Sequence, residues 1–352
     1  QKPDASLIAG FTAWKNQFQR NVKKGEKGIK IIGDMPIYVA ADSVEVWTKP
    51  ELFQLDKERN PLFVAGVPAD QFSATGQLWG NPLYDWEEHK KQGYAWWIHR
   101  IEESFKIYDV LRIDHFKGFS DYWQVDGKAD IAKYGSWQPG PGYDLFKAVK
   151  EQLGDLPIIA EDLGNIDDKA RKLLADCNYP GMKILQFGFE DVSGKSLDSP
   201  HYCIPHSIVY TGTHDNDVTN GWYNGLTDQQ QQYINDYTHR SEDESICQAM
   251  IRQLFATVSN TAIATMQDVL DLPASSRMNV PSTIGGNWQW RMQQSDLTQD
   301  KKDFLAKMTT LYQRANQEKT MIKFSTFVKN ETNKSLEQLS DKETYIQLLN
   351  YV

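Results

Sequence analysis

Six short apolar runs, most of them ending in polar groups and separated by longer helix-like stretches, restrict the folds open to this 352-residue chain more than any other feature. They are IKIIGDMPIYV (29–39), YDVLRIDHF (108–116), LPIIAEDLG (156–164), GMKILQFGF (181–189), HSIVYTGTHD (206–215) and NTAIATMQDVL (260–270). Between them, WEEHKKQGYAWWIHRIEESF (86–105), DLFKAVKEQLG, DDKARKLLADC and DESICQAMIRQLFATVS carry apolar residues at helical spacing, with Asp167 or Asp168 capping the third of these helices. This alternation is the pattern of βαβ units around a parallel sheet.

Five of the runs place polar groups near their C-terminal ends: Asp34, Asp114, Glu161, Asp215, and Gln267 with Asp268. A single such residue reads as a structural ion pair or a cap. Repetition is informative, because a barrel of parallel strands gathers its C-terminal ends on one face, where active sites are built. A doubly wound open sheet is the competing architecture, but its crevice gathers fewer strand ends, and the chain has no GxGxxG or GxxxxGK loop.

The stretch DVLRIDHFKGF shows what such an end offers chemically. Side chains alternate along a strand, so Arg112 and Asp114 share one face while Leu111 and Ile113 take the other. Asp114, Glu161 and Asp215 follow one another at intervals of roughly 50 residues, about one or two βα units. Retaining glycosidases need one carboxylate as nucleophile and one carboxylic acid to protonate the departing oxygen, about 5 Å apart and in different protonation states. Arg112 favours the charged form of Asp114, which suits a nucleophile; the apolar PIIA before Glu161 and Asp162 after it favour a protonated acid. Asp215 would hold sugar hydroxyls in the distorted transition state, with His214 donating to the same ring. Two other readings stay open on the residues alone: a hydrolytic metal site built from RIDH and THDND, and wholly structural capping residues.

The net charge of −9 comes with no long basic run, which argues against a nucleic-acid or anionic-membrane partner and suits a neutral substrate. Cys177, Cys203 and Cys247 stand far apart, arguing against a disulfide framework or CxxC metal site and for a reducing, cytoplasmic setting. No apolar run approaches transmembrane length, and the opening QKPDASLIAGFTAWKNQF has neither a signal-peptide core nor an initiator Met. Tryptophan set in the polar, Gly/Pro-containing stretch GQLWGNPLYDW is hard to explain by packing; such rings stack on sugar faces.

With GDMPIYVAADSVEVW, RIDHFKGF, IIAEDLG and TGTHDND in this order, the chain closely resembles the 4-α-glucanotransferases, the amylomaltases or disproportionating enzymes, related to the α-amylase group. GVPADQFSATGQLWGNPLYDW and SSRMNVPSTIGGNWQWRM look like further blocks of that family, and the resemblance covers most of residues 20–315. It implies an α/β fold, a (β/α)8 TIM barrel with inserted loops, of which the chain as given lacks the first two strands. On this reading residues 1–315 form the catalytic barrel, incomplete at its N-terminus, and 316–352 form a C-terminal extension of unknown role.

The resemblance further implies cleavage of an α-1,4 bond in a maltooligosaccharide or amylose, a covalent glycosyl enzyme, and transfer to the 4-hydroxyl of an acceptor sugar, with no cofactor and no metal. Asp114 then matches the nucleophile, Glu161 the acid/base and Asp215 the transition-state stabiliser. Arg112 and His214 match donors to the bound sugar. Asp34, Asp70, Gln77 and Trp79 match substrate-contacting positions, the last three in a loop that closes over the cleft, and Asn279 matches another. The implied partners are a glucan donor and a sugar acceptor, without nucleic acid or membrane; no oligomeric state follows. A hydrolytic α-amylase-like enzyme and a non-catalytic glucan-binding protein are the alternatives.

Overall fold

The computed structural model describes residues 30–69, 73–164, 166–281, 283 and 285–314. The N-terminal part of the expected barrel (1–29), the expected extension 316–352, and Asp70 lie outside the described residues. Ten strands are present among them: β1 (Ile32–Met35), β2 (Phe63–Val67), β3 (Gln77–Pro82), β4 (Val110–Ile113), β5 (Asp121–Asp126), β6 (Gly135–Pro139), β7 (Ile158–Ala160), β8 (Gly181–Ile184), β9 (Ser207–Tyr210) and β10 (Thr261–Ile263). All six expected runs contain a parallel strand. β1, β4 and β7 pair in that order, as do β8, β9 and β10. The two sets meet where the Ala160 amide donates to the Pro180 carbonyl at 3.0 Å and the Met182 amide to the Asp162 carboxylate at 2.6 Å.

The spatial order follows the chain order without the reversal that defines a doubly wound sheet. Alternation divides each strand between two environments. Leu111, Ile113, Ile158 and Ala160 enter a core with Trp97, Ile101, Leu145 and Phe146 of the helices Ala95–Phe105 and Tyr143–Leu153. Ile159, Met182, Ile208 and Tyr210 instead pack with Val110 and Ile263 in a cluster on the opposite face. At the N-terminal ends of the strands, a cavity of about 290 Å³ is lined by Ile32 of β1, Val110, Ile159, Ile208 and Thr261 of β10. In a flat sheet the first and sixth strands would lie roughly 24 Å apart at the usual strand spacing. Since both line one small cavity, the run is strongly curved.

Several expectations change. The run 181–189 is strand only to Ile184 and then becomes the helix Leu185–Glu190, because Leu185 and Phe189, one helical turn apart, both enter a second core cluster. Likewise 260–270 turns into the short helix Met266–Val269 after β10. The stretch 86–105 is two helices, Trp86–Lys91 and Ala95–Phe105, broken where Gly93 (φ 61°) and Tyr94 (φ 56°) turn left-handed. Asp167, not Asp168, caps the helix Asp168–Cys177, accepting from the Ala170 amide at 2.9 Å.

The largest difference is a second sheet. β3, β2, β5 and β6 form an antiparallel layer in that order, so Gln77 and Trp79 stand on a strand rather than in a loop. Gly, Asn and Pro in QLWGNP hide that strand from propensity. Its pairing depends on Gly66, where an added Cβ would sit 2.5 Å from the Gln77 carbonyl and where the β2–β3 register shifts. The three cysteines are free thiols, and no described helix is long and apolar enough to cross a membrane.

Candidate active site

The β1–β4 register sets Asp34 opposite Arg112, and alternation aims both at the concave face. Arg112 is 7% exposed. Its Nη1 pairs with Asp34 Oδ1 at 2.6 Å and Asp114 Oδ1 at 2.9 Å, and its Nε reaches Met182 Sδ at 3.3 Å. Burial alone would disfavour its charge; Asp34, Asp114 and Glu161 outweigh that and hold the guanidinium above its ordinary range. Burial also lifts Asp34 above the usual aspartate value, with Arg112 pulling the other way.

Glu161 follows the last residue of β7 and is locked to the end of β4. Its amide donates to the Ile113 carbonyl and its carbonyl accepts from the Phe116 amide, each at 3.0 Å. One carboxylate oxygen accepts from the His115 amide at 2.8 Å and the other from the Leu163 amide at 2.7 Å. Burial first, then the charge of Asp114, pushes this carboxyl up to about 7, against the opposing pull of Arg112 and the two amides. A carboxyl poised there is an acid that can still be protonated near neutral pH and can take the proton back.

Beyond β9, a Thr213–Asn216 turn presents the next pair. Thr213 donates from its amide and its hydroxyl to Asn216 Oδ1, each at 2.9 Å. Asp215 Oδ1 accepts from Asn279 Nδ2 at 2.7 Å, and its Oδ2 lies 3.3 Å from His214 Nε2. His214 Nε2 is also 3.9 Å from Asp34 Oδ2, so one polar chain runs from Asp114 through Arg112, Asp34 and His214 to Asp215 and Asn279. Trp79 joins from the antiparallel sheet: its ring meets His115 edge-on at 4.8 Å and Tyr38 at 6.2 Å, and its Nε1 donates to Gln77 Oε1 at 3.4 Å.

Every expected site residue among those described is therefore brought together. Three contributors were not among the expected catalytic or sugar-binding residues, although His115 was read as part of the RIDH metal alternative. His115, left-handed at φ 48°, supplies the amide to Glu161 and the ring under Trp79. Arg277 donates to the Asp215 carbonyl at 2.7 Å, and Trp288, left-handed at φ 62°, packs on His214 at 5.1 Å. Arg277 and Trp288 lie in the same sequence block as Asn279, which was the available signal. Among the described residues, the one group of three His, Cys, Asp or Glu ligand atoms close enough to share an ion is His99, Glu102 and Glu103. It lies on the helix Ala95–Phe105 and includes none of these site residues.

The family model described as 4-alpha-glucanotransferase matches residues 11–298. The chain belongs to that family. It is 53% identical over 290 residues to a 4-alpha-glucanotransferase of Streptococcus pneumoniae, covering 82% of this chain and 57% of the relative. A 4-alpha-glucanotransferase of Clostridium butyricum is 44% identical over 308 residues, 86% of this chain and 62% of that one. Among solved structures, the amylomaltase from Streptococcus agalactiae in complex with acarbose superposes with a TM-score of 0.83 at 57% identity, covering 86% of this chain and 61% of that one. The amylomaltase from Corynebacterium glutamicum shares the fold at a TM-score of 0.63 with 16% identity, covering 82% and 47%. The chain thus spans about three fifths of the length of the first relatives it matches.

Proposed function

We propose that this chain carries the catalytic centre of a retaining 4-α-glucanotransferase. The observation that carries the reading is the pairing of two carboxyls in different surroundings: Asp114 with its Oδ1 2.9 Å from the Arg112 guanidinium, and Glu161 buried beside it with its carboxyl pushed up to about 7. Glu161 gives its proton to the glycosidic oxygen as Asp114 attacks the anomeric carbon, forming a glycosyl ester and releasing the shortened glucan. Glu161, now a carboxylate, removes the proton from the incoming 4-hydroxyl, which displaces Asp114 and restores both groups. Asp215 and His214, steadied by Asn279 and Arg277, hold the reacting sugar's hydroxyls, and Asp34 shares that role. Each step uses side chains alone. The six curved parallel strands among the described residues suit a (β/α)8 barrel.

Incubation with maltotriose, with products resolved by size, tests the function. Glucose together with maltooligosaccharides longer than the substrate supports transfer. Glucose and maltose alone would indicate a hydrolase, and unchanged maltotriose a binding protein.

The placement of Trp79 favours transfer over hydrolysis. Its ring stands 37% exposed on His115, next to the nucleophile, where it can exclude water while presenting a flat face to an acceptor sugar. Trp79→Ala is expected to raise the share of glycosyl enzyme captured by water several-fold, measured as the ratio of new reducing ends to transfer products. An unchanged ratio would remove Trp79 from this role.

A further inference from the structure

The segments that follow β4 and β7 hold Asp114 and Glu161; besides the backbone bonds that join Glu161 to Ile113 and Phe116, they are tied twice more through side chains. The first tie is the His115 amide on the Glu161 carboxylate. The second is Lys117, three residues beyond Asp114, whose side chain is only 11% exposed. Its ammonium contacts Asp121, the first residue of β5, and Asp167 Oδ2 at 3.0 Å, and it lies 4.4 Å from the ring centroid of Trp137 on β6. Asp167 uses its other oxygen to cap the helix Asp168–Cys177, so Lys117 is coupled to the far end of the segment that starts at Glu161. Through Asp121 and Trp137 it is also coupled to the antiparallel sheet that carries Trp79.

An ammonium has three donors and no preferred plane, which suits two carboxylates and an indole face converging from different elements. A surface ion pair in this place would contribute little. The Lys117–Asp121 pair is nearly buried and fixes the position of the ammonium, because its partners lose more by parting; the half-exposed Asp167 extends that hold to the second loop. We propose that Lys117 is a positioning residue for glucan transfer, setting the separation of the Asp114 and Glu161 loops and the seat of the Trp79 sheet upon them. The inference rests on the roles proposed for Asp114 and Glu161.

The test compares wild type, Lys117→Met and Lys117→Arg, with kcat and KM on maltotriose and an NMR titration of the Glu161 side-chain carboxyl in glutamate-labelled protein. Glu161→Gln assigns the signal. For Lys117→Met the expectation is a kcat lower on the order of tenfold to a hundredfold at nearly unchanged KM, the scale set by misplacing reacting groups by about 1 Å. The Glu161 midpoint is expected to move by about half a pH unit or more, since its amide partner and its shielding both depend on the loop. Lys117→Arg, which keeps the charge in a different shape, is expected to recover most of both.

A folded Lys117→Met protein with wild-type kcat and a superimposable Glu161 titration would overturn the proposal. Should Lys117→Met fail to fold, Asp167→Asn cuts one tie while retaining a capping side chain, and the same two readouts decide. Should the wild type leave maltotriose unchanged, the transferase reading falls, and the titrations of wild type and variant still decide whether Lys117 holds the two loops.

Discussion

If glucan transfer runs as proposed, Asp114→Asn is expected to lower its kcat on the order of 10³-fold or more, with substrate affinity largely kept, because an amide oxygen cannot form the glycosyl ester of the proposed reaction. The substitution keeps the shape of the side chain, and Arg112 keeps Asp34 at 2.6 Å, so the buried guanidinium is not left without an anion. Circular dichroism and thermal unfolding should therefore change little. A second variant separates nucleophile from bystander. With Asp114→Ala, an activated α-glucosyl donor and azide, the small anion can enter the vacated space and displace the leaving group directly, giving the β-glucosyl azide. Retained transfer in Asp114→Asn would end the assignment.

Glu161 carries the second large effect, in activity and in stability. Glu161→Gln is expected to reduce kcat by about 10²- to 10⁴-fold for substrates that need a proton on the leaving oxygen. The loss should be far smaller in the first step for donors with a good leaving group, such as α-glucosyl fluoride. In the wild type, kcat/KM should fall as pH rises through about 7, where burial and Asp114 place this carboxyl.

The sign of the stability effect follows from the same shift. The folded protein binds the Glu161 proton up to about 7, whereas the unfolded chain releases it near the ordinary value of 4.5. This group's contribution is fully present below the unfolded value and is lost as pH rises through the folded one. Glu161→Gln should reduce the difference in unfolding free energy between pH 4.5 and pH 8 by on the order of 1–3 kcal/mol in urea titrations. The comparison across pH is the informative one, because a glutamine also sets an NH2 group against one of the two amides that Glu161 accepts from. Equal pH dependence in wild type and variant would mean that Glu161 is not the displaced group.

Much of this centre is legible in single stretches of sequence. Val110 to Asp114 states its own strand, its two faces and its terminal charge, because alternation is a local property of an extended chain. The same locality explains the helix Ile246–Ala256, whose Ser245 and Gln248 make a reciprocal cap visible three residues apart. Legibility fails where a distant partner decides. QLWGNP becomes a strand only because β2 lies beside it, and LQFGFE becomes a helix because Leu185 and Phe189 find a core one turn apart. Nothing local in FKGFSD announces that Lys117 is buried between Asp121 and Asp167, since Asp167 arrives from 50 residues away.

The sequence by itself determined the parallel strands, the faces of Arg112 and Asp114, and which strands end in carboxylates, since these depend on residue type and short-range periodicity. Tertiary structure decided which other groups act on those carboxylates and how deeply Glu161 is buried. Only the β1–β4 register adds Asp34 to the Asp114 that Arg112 already faces along its own chain, and only burial beside Asp114 lifts Glu161 to about 7. Desolvation and the field of a neighbouring charge depend on what surrounds a group in three dimensions, and neighbours in the chain do not fix that surrounding.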